Sequence, residues 1–240
     1  METNSNSLKN TARLAGLLYL FLIITGAYFV MYVPSQIIVM GDATTTAENI
    51  HANEFLFRTG IISDLISNTI FLILVLVLYR LFKEINVHLA KFMVALVMVQ
   101  IPGVFIVEAF NITSLMIFKG EILKTFELNQ RQDLAMLFLQ INDYGTMISM
   151  MFWGLWLFPL AILVYRSRFL PRFLGVWLII NAFAYLVISF TGLLLPQYQE
   201  MIKTLSFPAI LGEVAFMLWL LIMGAKEKTV NNVLCNKDKK

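Results

Sequence analysis

Charge is scarce in this chain. Asp, Glu, Lys and Arg make up 14% of its 240 residues, against about 25% in an ordinary soluble domain. Cysteine is nearly absent: Cys235 stands alone, so no internal disulfide can form and no Cys/His pattern offers a metal site. The two histidines, His51 and His88, fall outside the apolar runs, which removes the paired intramembrane ligands that a haem between helices needs. No HExxH and no GxSxG occurs, so the zinc-protease and serine-hydrolase arrangements are missing too. What the chain has in excess is apolar surface, with 59% hydrophobic residues and a mean hydropathy of +0.78. A soluble fold of this length cannot hide so much, because much of its surface must face water. A soluble enzyme, a nucleic-acid binder and a disordered chain are therefore excluded.

A helix rising 1.5 Å per residue needs about 20 apolar residues to cross about 30 Å of hydrocarbon. Six stretches qualify, at about 13–33, 59–80, 91–118, 143–165, 173–195 and 207–225. Runs such as Ile70 to Tyr79 lack the alternation of a barrel strand, so the spans are expected to be α-helices. The first run, Leu14 to Val33, exceeds the roughly 7–15 apolar residues of a signal peptide and reads as a span. The expected architecture is all-α: one six-helix transmembrane domain over 13–225 between tails at 1–12 and 226–240.

Orientation follows from the cations. The net charge of +3 sits in the flanks of the spans. With the N-terminus inside, thirteen of the 18 Lys and Arg lie on the inner side, among them Arg13, Arg80, Lys83, Arg166, Arg172 and Lys226. The outer side keeps Arg58, Lys119, Lys124, Arg131 and Lys203. Excess Lys and Arg mark cytoplasmic loops, so both termini are expected in the cytoplasm. On the outer side, Pro34 is expected to end the first span, and Thr44 to Ile50 reads as a capped helix start. Residues 120–142 read as a short amphipathic piece, with Asn129 or Asp133 as caps before a long fourth helix. Spans one and five open alike, RLAG (Arg13 to Gly16) and RFLG (Arg172 to Gly175). That echo fits either a duplication or a small residue at a helix crossing.

The informative residues are those a bilayer should reject. Asp64, Glu108 and Glu213 fall in spans two, three and six, and Asp143 opens span four. A charge at a helix centre costs about 2.5–3.5 kcal/mol even on insertion scales. Counted from the inner basic flanks, Asp64, Glu108 and Glu213 lie about 24, 25 and 20 Å up, and Asp143 lies at the outer surface. All four thus belong to the outer half. Asn68 shares a helix face with Asp64, beside Ser67, and Asn111 shares one with Glu108. Arg58 is the basic side chain near a span on that side, and Pro102 and Pro159 are expected to bend their helices. The expectation is an outward-facing pocket of Asp64, Glu108, Asp143 and Glu213 with Arg58, supported by Asn68 and Asn111. Such a pocket could carry protons or bind a small cation or amine, since some of its buried acids should be neutral at pH 7.

Two other readings stand beside it. The acids could only join helices, each contact contributing about 0.6–2 kcal/mol, in a structural or regulatory subunit. Alternatively, Asp64 and Asp143 could pair as the acid and base of an intramembrane enzyme, although neither has a glycine-flanked setting. Glu48, His51 and Glu54 make a weak metal pattern on a solvated loop helix, and Met147, Met150 and Met151 read as packing or lipid-facing residues. The pattern calls for no cofactor and carries no signature of oligomeric state; the expected partner is the lipid bilayer.

Four blocks occur in order: ARLAGLLYL (Ala12 to Leu20), ENIHANEFLFRTGIISDL (Glu48 to Leu65), SRFLPRFLG (Ser167 to Gly175) and GEVAFMLWLLIMG (Gly212 to Gly224). Together they resemble one bacterial membrane family, domain of unknown function 4386, over about residues 12–225. The resemblance implies a bacterial plasma-membrane protein and brings no assigned activity. Arg58, Asp64 and Glu213 fall inside the blocks, whereas Glu108 and Asp143 fall outside them.

Overall fold

With no water in hydrocarbon to satisfy the backbone, each apolar run closes its hydrogen bonds on itself. The computed structural model describes the backbone of residues 2–225 and side chains from residue 7; the expected tail at 226–240, including Cys235, lies outside the described residues. In chain order the helices are α1 (Glu2–Ala27), α2 (Val33–Ile37), α3 (Ala43–Ala52), α4 (Glu54–Phe82), α5 (Val87–Phe118), α6 (Leu128–Ser167), α7 (Arg172–Leu194) and α8 (Gln199–Ile222). A π-helical turn, Tyr28–Tyr32, joins α1 to α2, and a 3-10 turn, Pro196–Tyr198, precedes α8. No strand occurs among the described residues.

Six helical segments are long and apolar enough to cross a membrane: Ser7–Ile37, Glu54–Phe82, Val87–Phe118, Leu128–Ser167, Arg172–Leu194 and Pro196–Ile222. The surface of α7 shows what solvent they are built for. Phe173, Val176, Ile180, Phe183, Val187, Phe190 and Leu194 recur every three or four residues and are all exposed. Its inward face instead carries Leu174, Leu178, Asn181, Ala182 and Ser189. A water-soluble helix has the opposite pattern. This is a multi-pass membrane protein.

Three local expectations change. Pro34 does not end the first helix; the chain stays helical to Ile37. The π-turn sets the Val33 N–H onto the Tyr28 carbonyl, and Pro34 then sits in the first turn of α2, where its missing N–H costs little. No separate amphipathic piece precedes the fourth span, because α6 runs unbroken for 40 residues. Its start is closed by the Gln130 side chain, which accepts from the Glu127 N–H at 3.1 Å, rather than by Asn129 or Asp133. At about 60 Å, α6 is twice as long as hydrocarbon requires. Pro102 and Pro159 lie inside continuous helices.

The loop helix α3 forms where expected, with Asp42 as its cap. Asp42 Oδ1 accepts from the Thr45 N–H at 2.9 Å and Oδ2 from the Thr45 hydroxyl at 2.7 Å. These bonds hold its carboxyl below the ordinary carboxylate range. A depressed value means that the cap stabilises α3 above that range and that its contribution is lost as pH falls through it.

The chain divides into two compact units. One comprises the chain up to Leu20, Ile70–Gln100 and the chain from Met150 onward; the other comprises Phe21–Thr69 and Ile101–Ser149. In the first, Leu74, Leu78, Leu157, Leu160, Leu178 and Leu220 are buried and Phe82 stacks on Phe169. Both glycines of the RxxG echo sit at helix crossings here: a Cβ on Gly16 would meet the Leu221 backbone nitrogen at 2.4 Å, and one on Gly175 would meet the Ala161 carbonyl at 2.8 Å. Close packing accounts for both glycines, with different partners. In the second unit the core is Val33, Ile37, Ile50, Phe57, Ile61, Leu115, Phe118 and Leu139.

Candidate functional site

The second unit holds two of the intramembrane acids together. Asp64 is 8% exposed and Glu108 2%, and the two carboxyl groups interact electrostatically. The helical spacings read from the sequence hold. Asn68, one turn on from Asp64, donates from Nδ2 to the Asp64 carbonyl at 3.0 Å and to Oδ1 at 3.1 Å. Asn111 donates from Nδ2 to Glu108 Oε1 at 3.3 Å and Oε2 at 3.2 Å. From α6, Asn142 donates to the Val107 carbonyl at 3.1 Å and to Glu108 Oε1 at 3.3 Å. Three neutral amides thus serve two acids. The ion pairs of the described residues include neither acid, and Asp64 Oδ2 is buried without a hydrogen-bond partner. A buried polar atom left without a partner costs about 1–3 kcal/mol, so this arrangement has spare capacity for a donor or a cation.

A cavity of about 50 Å³ adjoins this group. Its polar lining is Asn111 and Asn142, the two amides that hold Glu108, and the rest is apolar, including Phe29, Val33, Pro34, Ile38 and Ile61. Phe29 comes from the π-turn, whose extra residue re-aims side chains relative to an α-helix.

Glu213 belongs to the first unit and has a different environment. Tyr19 on α1 donates its hydroxyl to Glu213 Oε1. Asn181 on α7 donates from Nδ2 to Oε2 at 3.1 Å, and the Tyr185 hydroxyl, one turn further along α7, bonds to the same carboxyl. Aromatic rings support these donors: Tyr19 packs on Trp156 and Phe216, and Tyr185 on Trp153. Three donors on two helices converge on one carboxyl of a third, so this acid ties α1, α7 and α8 together.

The remaining expected residues lie elsewhere. Arg58 is exposed, and its Nε donates to Glu54 at 2.7 Å, one turn back on α4. Glu54 also receives Lys119 at 3.1 Å. Lys119 also donates to Glu121 at 3.0 Å, and its bonds to Glu121 and Glu54 hold the ammonium above its ordinary value. Asp143 is exposed on α6, and its neighbour Asn142 is the residue that reaches Glu108. Sequence reasoning missed Asn142, Asn181, Tyr19 and Tyr185. The two Asn were signalled by being amides within or beside apolar runs; nothing in the sequence distinguished the two Tyr from the other aromatics of those runs.

Comparison with known proteins adds a family and no activity. A family model described as "Domain of unknown function (DUF4386)" matches residues 14–224. An uncharacterized protein of Archaeoglobus fulgidus is 35% identical over 92 residues, 37% of this chain and 49% of the relative. The chain therefore matches about half the length of that protein. No solved structure matches.

Proposed function

The chain belongs to the DUF4386 family, and on that footing we propose that it binds a small cationic species, a proton, a metal cation or an amine, at Asp64 and Glu108 and passes it across a bacterial plasma membrane. One observation carries this reading: a buried carboxylate oxygen, Asp64 Oδ2, lacks a partner beside a second buried acid, with no cation paired to either among the described residues. Intramembrane acids are costly, and those that folding leaves under-satisfied mark ion and proton paths. The excess of Lys and Arg in alternate loops supports cytoplasmic termini; that orientation puts both acids in the outer half.

The test is flux in proteoliposomes. Purified protein is reconstituted, a pH or cation gradient is imposed, and internal pH is followed. Wild type is expected to dissipate the gradient, Asp64→Asn and Glu108→Gln to lose at least about tenfold in rate, and Arg58→Gln to keep it. Equal rates in wild type and both acid variants would refute the proposal. A second reading, that of a subunit whose acids only join helices, is favoured at Glu213 alone, because its three donors satisfy it fully.

A further inference from the structure

The geometry points to a small primary alkylammonium ion as the occupant, its ammonium at Asn111 and Asn142 next to Glu108 and its short alkyl group in the apolar cavity. This rests on the reading of Asp64 and Glu108 as a cation site and narrows that reading to one chemical class. Each amide spends its Nδ2 on Glu108, so what it can offer an occupant is Oδ1, an acceptor. An acceptor pair backed by a carboxyl selects a charged donor. A bare metal ion is poorly served, because Na⁺-like ions want several oxygens around them, whereas most of this cavity is hydrocarbon: Phe29, Val33, Pro34, Ile38 and Ile61. Those side chains reward an alkyl group, which a proton or a metal ion lacks.

Size bounds the alkyl group. An apolar cavity of about 150 Å³ accepts benzene; at about 50 Å³ this one takes one or two carbons. Charge sets the donor end from behind the lining. Neither acid lines the cavity, but Glu108, held by both lining amides, is buried with no cation paired to it among the described residues and favours an ammonium over a neutral alcohol of the same shape.

The probe is ethylammonium chloride, compared with ethanol and with sodium chloride at matched ionic strength, on the full chain in detergent or nanodiscs. The melting temperature is the readout, since a ligand that binds the folded state raises it with concentration. Ethylammonium is expected to give a saturable rise that ethanol and sodium do not. Glu108→Gln should weaken the apparent affinity more than about tenfold. Ile38→Phe, which fills the apolar end without touching an acid, should abolish the rise; Asp64→Asn, expected to fold at least as well as wild type, should weaken it. An equal response to sodium overturns the alkylammonium assignment while leaving a cation site in place. An equal response to ethanol overturns the role of charge. No response to any of the three overturns the alkylammonium assignment, and loss of the pH-gradient flux as well overturns the cation reading.

Discussion

Replacing Glu213 by alanine is expected to cost about 2–5 kcal/mol of stability and to release α8 from α1 and α7. The range follows from the donors left behind. Tyr19, Asn181 and Tyr185 all direct their donors at this carboxyl. Interhelical bonds in membrane proteins average about 0.6 kcal/mol each and reach about 1.7, so three give the lower to upper end. Glu213→Gln should cost less, because it keeps one acceptor oxygen but sets an NH₂ group against donors. Thermal melting of purified variants checks the order: wild type, then Glu213→Gln, then Glu213→Ala. An unchanged melting point in Glu213→Ala would show that the three bonds do not hold this unit together.

The second large effect is expected at Gly16. A Cβ there would lie 2.4 Å from Leu221 N, 2.7 Å from Leu221 Cα and 2.9 Å from the Leu220 carbonyl carbon. All three are backbone atoms, which cannot rotate away as the end of a side chain can. Gly16→Ala must therefore push α1 from α8, at the upper end of the roughly 1–3 kcal/mol typical of overpacking, and Gly16→Leu should prevent that crossing from forming. Gly103 provides the control. It is also mid-helix, yet a Cβ there meets nothing within 4 Å. Gly103→Ala should be neutral or gain up to about 1 kcal/mol, the helix preference of alanine over glycine. Equal melting of Gly16→Ala and Gly103→Ala would contradict the close crossing.

The six spans were legible because length and hydropathy are properties of single segments. The pairings within one helix were legible for the same reason. Asn68 beside Asp64 and Asn111 beside Glu108 follow from 3.6 residues per turn, and both form. What spacing does not encode is which helix faces which. Asn142 and Asp143 are adjacent and point about 100° apart on α6; only packing decides that Asn142 turns toward Glu108 and Asp143 outward. Tyr19 reads as one more aromatic in an apolar run until α8 brings Glu213 against it. Arg58 shows the opposite lesson. The local partner Glu54, one turn away, is readable from spacing and claims the guanidinium before a distant acid does.

The acids thus divide by satisfaction. Glu213 meets three donors, whereas Asp64 keeps a carboxylate oxygen without a partner next to Glu108. The central claim is that folding needs the first and merely tolerates the second. The direct measurement is the melting temperature of Asp64→Asn against Glu213→Gln in the same detergent at pH 7. Asp64→Asn is expected to melt at or above wild type, because a neutral amide removes the cost of a buried acid and supplies a donor beside Glu108; Glu213→Gln is expected to melt below it. A fall of several degrees in Asp64→Asn, equal to that of Glu213→Gln, would make both acids helix joints and contradict the account.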